Sequence, residues 1–359
     1  MKNYQIVLLP GDGIGPEITE VAKNLLIIIS NKYNFNLDFE EHLFGGSAIN
    51  SMNHPLPSNT MEACKDSDAV LLAAVGDPKF DNYPRELRPE SGLLSLREGM
   101  KLFANIRPVK IIPSLINSSS LKENIIKNVD LIVVRELIGG IYFGKPKGRV
   151  KTNNGERAFN TMSYSDQEIN SISQIAFELS KQRKSKLCSV DKANVLDVSQ
   201  LWREETNKVS NNFKEIELSH QYVDNAAMQL VRNPSQFDVI LTSNLFGDIL
   251  SDIAAMLTGS IGMLPSASLT KNGPGLFEPV HGSAPDIAGK DLANPIAMLL
   301  SASMMMKIAF NEIKAANELE IAINELLSEG YRTNDLISSS AAKQVGCSQI
   351  GELLMEKLK

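Results

Sequence analysis

The chain has 359 residues, 43% hydrophobic and 22% charged, which excludes global disorder and suits about two domains at ~150 residues each. Lys and Arg number 36 and Asp and Glu 42, a net charge of −6, so neither nucleic acid nor an anionic membrane is an expected partner. Three cysteines, Cys64, Cys188 and Cys347, exclude a disulfide framework and suit a reducing, cytoplasmic setting.

In chain order, 5–9 is a short apolar run stopped by Pro10-Gly11-Asp12-Gly13, hence a strand and a turn, and too brief for a signal segment. Pro16 opens a helix carrying Val21, Leu25, Leu26 and Ile29. Buried strands are expected over 68–75, 130–134, 186–190 and 237–242, with helices over 165–183, 198–208, 225–231 and 295–327. The last contains the longest charge-free apolar stretch, 296–306, which is short of the ~20 residues of a bilayer span. Its Met304, Met305 and Met306 read as core filler. Strands alternating with helices give an α/β fold with a mainly parallel sheet flanked by helices. The stretch 144–163 is polar yet patterned, an extended arm or hairpin outside the main body.

Several clusters carry chemistry. Gly11-Asp12-Gly13-Ile14-Gly15 follows a strand and precedes a helix, but a dinucleotide fingerprint needs Gly where Pro16 stands, so this is not a true Rossmann turn. Asp248 and Asp252 lie four apart, on one face of a helix, among Leu245, Phe246, Ile249, Leu250 and Ile253. Burying two unpaired carboxylates there is costly, and a divalent cation with oxygen ligands, Mg2+ or Mn2+, removes the conflict; two solvated aspartates at a helix start are the plainer reading. Glu90, Leu93, Leu94 and Arg97 share a helical face suited to a carboxylate and an alkyl group, or to an ordinary amphipathic helix. Arg107 and Arg135 follow apolar runs at expected strand ends, where ligands gather in α/β sheets. Lys192 and Tyr142 have the chemistry of a base and an acid. Residues 275–286, with Glu278, His281, Gly282, Ser283 and Asp286, read as a loop that lets backbone approach a ligand.

Together these motifs resemble the isocitrate/isopropylmalate dehydrogenase family of metal-dependent decarboxylating dehydrogenases. The likeness runs nearly end to end, through Leu9–Glu17, Arg88-Pro89-Glu90 to Arg97, Leu102 to Pro108, Arg135 to Gly144, Val190 to Leu196 and Glu278 to Gly289. The resemblance implies a cofactor-binding domain of 1–102 and 258–359 and a substrate, metal and dimerisation domain of 103–257, with the active cleft between them. It implies substrate carboxylates on Arg97, Arg107 and Arg135, an alkyl group on Leu93 and Leu94, and substrate contacts from Glu90 and Asp224. The metal ligands would be Asp224, Asp248 and Asp252. NAD would meet Asp77, Glu90, Glu278, His281, Gly282, Ser283, Ala284, Asp286, Ile287 and Asn294. Lys192 would act as base and Tyr142 as proton donor. The implied reaction is oxidative decarboxylation of 3-isopropylmalate to 4-methyl-2-oxopentanoate and CO2 in leucine biosynthesis. Isocitrate, homoisocitrate or tartrate is the alternative substrate, against which the Leu93-Leu94 pair argues. The 144–163 arm would clasp a second subunit in a homodimer, with Lys192 and Asp224 entering the neighbour's cleft. Asp77, after Gly76, and Leu137-Ile138 depart from the family's usual residues, as does the variable stretch 270–272.

Overall fold

The computed structural model describes residues 2–338 and 342–359. It divides into a first unit of the chain up to Leu102, Ile112–Ser120 and Thr258–Lys359, and a second of Phe103–Ile111 and Leu121–Leu257. The segment Ile112–Ser120 packs with the first unit, although it follows the point where the chain enters the second.

The first unit opens with β1 (Lys2–Gly11), whose Ile6, Val7, Leu8 and Leu9 are wholly buried. Next comes α1 (Gly15–Tyr33), with Pro16 presetting the first turn. Its Ile18, Val21, Ala22, Leu25, Leu26 and Ile29, three and four apart, form the buried stripe. Asn34, left-handed at φ 58°, ends the helix by donating its N–H to Ser30 O. Then follow β2 (Phe35–Glu41), α2 (Gly46–Met52), α3 (Ser58–Asp66), β3 (Ala69–Ala74) and α4 (Pro89–Met100).

The second unit begins with β4 (Ala104–Lys110), then α5 (Glu123–Ile126) and β5 (Asp130–Glu136). β6 (Gly148–Thr152) and β7 (Gly155–Phe159) form a separate antiparallel hairpin whose side chains are almost all exposed. α6 (Asp166–Lys181) starts at a capping box in which Ser165 and Glu168 satisfy each other's backbone N–H. β8 (Lys186–Asp191), α7 (Asp197–Ser210), β9 (Glu217–Tyr222), α8 (Val223–Arg232), β10 (Val239–Thr242) and α9 (Asn244–Ala255) complete it. Its strand order is β4-β5-β10-β8-β9, with only the β4–β5 pair antiparallel.

The chain returns to the first unit with β11 (Pro265–Leu269), β12 (Gly275–Pro279), α10 (Ile296–Ile308), α11 (Ile313–Ser328), β13 (Tyr331–Arg332), β14 (Lys343–Gln344) and α12 (Cys347–Leu358). The strand order there is β2-β1-β3-β12-β11, parallel except for β11–β12. Among the described residues no helix is long and apolar enough to cross a membrane.

Two sequence expectations need correction. The helix expected over 295–327 is two helices. Phe310 turns inward and stacks on Tyr4 at 4.2 Å, Asn311 is left-handed at φ 56°, and Glu312 N–H reaches back to Met306 O. The apolar pattern runs on across the break because α10 is buried on nearly every side and α11 on one face; full burial of such a side chain is worth about 1.5–3 kcal/mol. The loop read over 275–286 begins as the wholly buried strand β12, so Glu278 stands in a strand.

Candidate active site

In the second unit, α9 projects both predicted aspartates from one face, while Leu250, Ser251, Ala254 and Ala255 are buried on the other. Neither carboxylate is fully buried, which agrees with the plainer of the two sequence readings. Asp248 is half-buried and Asp252 exposed, because Ile249 itself faces outward. Arginines take up the charge. Arg135, 2% exposed near the end of β5, bonds Asp248 through Nη1 and Asn244 Oδ1 through Nε and Nη2 at 3.1 and 2.8 Å. Arg107 stands in the middle of β4 rather than at its end, lying 3.7 Å from Asp248 and 3.8 Å from Asp252. Its Nε donates to Asn105 Oδ1 at 2.6 Å, and Nη1, the nitrogen nearest Asp252, donates to Ser251 Oγ at 2.7 Å. The Tyr142 hydroxyl donates to Asp248 Oδ2 at 3.0 Å, and burial together with that carboxylate pushes its pKa up. Lost hydration raises Asp252 and the Asp248 charge adds to it, opposed by Arg107 and Arg135.

Lys192 follows β8. The preceding Asp191, 1% exposed, is clamped by Arg203 of α7 at 2.9 and 2.8 Å and accepts Ala193 N–H at 2.9 Å. Lys192 Nζ lies 2.5 Å from the exposed Asp224 on α8. Among the described residues Asp224, Asp248 and Asp252 do not gather as a trio at ligand spacing. Glu17, Asp291 and Cys347 do, but Asp291 instead caps α12 by accepting Ser348 N–H at 2.7 Å and Ser348 Oγ at 2.8 Å. Asp248 and Asp252 thus offer an all-oxygen pair whose mutual repulsion a hard divalent cation relieves, which fits Mg2+ or Mn2+ with part of the ligand set on this face.

In the first unit, α4 carries Leu93 and Leu94 half-buried and Glu90 exposed. Arg97 does not pair with Glu90. It reaches Glu278 on β12 at 2.9 Å, both side chains 9% exposed, and its Nε is buried without a partner. A guanidinium so placed retains a donor for a ligand carboxylate.

The Gly11–Gly15 turn is a junction of loops. The Asp12 carboxylate accepts N–H groups from Gly46, Ser47 and Gly76, each at 2.9 Å. Ser283 Oγ donates to Gly76 O at 2.6 Å, and Ile14 N–H donates to Ser283 O at 2.8 Å. Gly13 is required: at φ 56° a Cβ would sit 2.0 Å from Ser283 O. Asp77 is taken up by Lys79 and lowered, the two hydrogen bonds from Lys79 outweighing lost hydration.

Beside this turn lies a cavity of about 290 Å³ lined by predicted residues His281, Gly282, Ala284, Ile287 and Asn294. Ile14, Ile261, Leu292, Asn334 and Asp335, which the sequence reading missed, also line it. Asn294 Nδ2 donates to Asp335 Oδ2 at 3.0 Å. His281 Nε2 is buried with no partner, and burial holds the imidazole below its usual pKa. An apolar slot with one orphaned ring nitrogen and an amide–carboxylate pair fits a heteroaromatic base. Asp286 is exposed, with Lys290 Nζ bonded to its carbonyl at 2.7 Å. Asp77, Glu90, Glu278, Ser283 and Asp286 are not among the residues lining the cavity. Ile14 lies inside a Gly-rich turn that the sequence did flag; Asn334 and Asp335 carry no local signal.

A family model described as isocitrate/isopropylmalate dehydrogenase matches residues 5–354, and the chain belongs to that family of dehydrogenases. Among curated relatives, a 3-isopropylmalate dehydrogenase of Prochlorococcus marinus (strain NATL2A) is 72% identical over 359 residues, covering 100% of both chains. A 3-isopropylmalate dehydrogenase of Synechococcus sp. (strain CC9605) is 62% identical over 358 residues, again covering 100% of both. Among solved structures, an isocitrate dehydrogenase from Methylococcus capsulatus superposes with a TM-score of 0.88 at 31% identity, covering 99% of each chain.

Proposed function

We propose that this chain is a cytoplasmic, NAD-dependent dehydrogenase that converts 3-isopropylmalate to 4-methyl-2-oxopentanoate and CO2 in leucine biosynthesis. The observation that carries the substrate is the α4 face, where Leu93 and Leu94 offer alkyl contacts beside Arg97 with its free donor. The full-length likeness to 3-isopropylmalate dehydrogenases supports the same substrate. A third carboxylate, as in isocitrate, would find hydrocarbon at Leu93 and Leu94 instead of donors.

Arg97, Arg107 and Arg135 bind the two carboxylates, by forked hydrogen bonds where the geometry allows. Asp248 and Asp252 would hold Mg2+ or Mn2+, with Asp224 supplied by a second copy of the chain, and the cation would supply Lewis-acid stabilisation of charge on substrate oxygens. NAD supplies the hydride acceptor. The His281–Asn294 cavity would hold its adenine and Asp286 would meet its ribose, while Asp77, Glu90, Glu278 and Ser283 would complete its contacts. Lys192 takes the proton of the C2 hydroxyl, and the Tyr142 hydroxyl returns a proton to C3 after CO2 leaves.

Shared sites in a homodimer are supported by Lys192 and Asp224 lying together while Asp224 stays apart from Asp248 and Asp252. Large apolar side chains left exposed on α8 and α9, Met228, Val231 and Ile249, together with the exposed β6–β7 hairpin, suit such an assembly. The test is NADH formation with 3-isopropylmalate, isocitrate and tartrate side by side. Turnover of 3-isopropylmalate well above the others is expected, and preferred turnover of isocitrate or tartrate refutes the assignment.

A further inference from the structure

Glu136 ends β5 with its side chain 1% exposed, and none of the chemistry above uses it. Its carboxylate accepts Ile138 N–H at 2.8 Å, Gly139 N–H at 3.1 and 2.9 Å, and the Tyr164 hydroxyl. Tyr164 in turn accepts Asn244 N–H at 2.8 Å. The Asn244 side chain then divides itself. Its Oδ1 holds Arg135, while its Nδ2 donates to Leu137 O at 3.0 Å and Gly139 O at 3.2 Å.

The Gly139-Gly140 turn is laid directly on Tyr164. A Cβ on Gly139 would stand 2.4 Å from the ring, and one on Gly140, at φ +75°, 2.6 Å from the hydroxyl. Tyr142 completes that turn. One buried carboxylate is therefore linked to both Tyr142 and Arg135, by the turn and by the Tyr164–Asn244 bridge. Burial pushes its pKa up to about 7 against the donors that favour its charge. A buried acid is expensive where packing alone is needed.

We infer that Glu136 is a positioning residue that fixes where the Tyr142 hydroxyl and the Arg135 guanidinium point. The inference rests on the reading of Tyr142 as the proton donor to C3.

The test compares full-length Glu136→Gln, Glu136→Asp and Tyr164→Phe with Tyr142→Phe. The readouts are kcat, both KM values, the solvent deuterium isotope effect and the isotope effect of C2-deuterated substrate. Glu136→Gln should lower kcat about tenfold or more, the scale of a lost hydrogen bond to a buried charged group. KM for NAD should stay unchanged. The solvent isotope effect should rise and the C2 effect fall, in the same sense as in Tyr142→Phe, and Glu136→Asp should recover part of kcat. Tyr164→Phe should act in the same direction, more weakly, and carries the comparison should Glu136→Gln not fold. Wild-type kcat in Glu136→Gln and Tyr164→Phe, or a loss with both isotope effects unmoved, overturns the inference while leaving Tyr142 in place. Unmoved isotope effects in Tyr142→Phe overturn the Tyr142 assignment and this inference with it.

Discussion

The two units build their candidate sites from opposite materials. In the first, the cavity is walled largely by apolar side chains, among them Ile14, Ile261, Ile287 and Leu292, and the turn beside it is tied to the Ser283 loop by backbone, Ile14 N–H donating to Ser283 O. In the second, long charged side chains hold one another: Arg135 and Arg107 on Asp248, Arg107 on Asp252, Lys192 on Asp224. Apolar walls and backbone hydrogen bonds are set once the chain folds and suit an invariant ligand such as a cofactor. Mutually paired charges, several of them half exposed, are held by little net energy and can exchange partners for an incoming anion or cation.

The sharpest way to break this contrast is to remove the charges. Asp248→Asn with Asp252→Asn should abolish divalent-metal-dependent turnover, as should chelation of the wild-type enzyme, with folding retained by circular dichroism. Unchanged activity and an unchanged Mn2+ titration would remove the metal from this face. Next in size is the mixed dimer. Arg97→Ala and Lys192→Ala should each be nearly inactive alone. Refolded together, about half the dimers are mixed and one site in each is intact, so about a quarter of wild-type activity should return if sites are shared. No recovery with mixed dimers demonstrably formed would give each subunit a complete site.

The apolar, backbone-tied site should fail differently. Gly13→Ala places a methyl group against Ser283 O, so KM for NAD should rise while binding of Mn2+, read by calorimetry, stays as in wild type. Weakened metal binding would show that the two constructions are not independent. Cofactor choice comes next: NAD should be preferred to NADP, since Asp286 repels a 2′-phosphate. Comparable kcat/KM for the two would point to Lys290, whose ammonium bonds the Asp286 carbonyl. The smallest effect is structural. Asn311→Ala, at the left-handed break between α10 and α11, should cost about 1 kcal/mol, read as a lowered Tm with kcat unchanged.

Much of this was legible because it is written locally. The stripe of α1, the buried strands and the Asp248–Asp252 spacing are periodicities within a few turns of chain, and the family motifs are contiguous. The break at 309–312 was not legible, since an apolar pattern reports burial and says nothing of direction; Tyr4, far away in sequence, decides it by stacking on Phe310. Asp252 is exposed, as the plainer of the two sequence readings had it, because the outward face of α9 stays open.

By itself, then, the sequence determined the alternation of elements, the buried face of each and the set of residues with the right chemistry, because side-chain hydrophobicity and backbone preference act over short spans. Only the tertiary structure decided the partners. Arg97 meets Glu278 across 181 residues, and Ile14 shares a cavity wall with Asp335. Glu136 reaches Asn244 through Tyr164. A buried polar group takes whichever partner the fold brings within hydrogen-bond distance, and chain spacing carries no record of that choice.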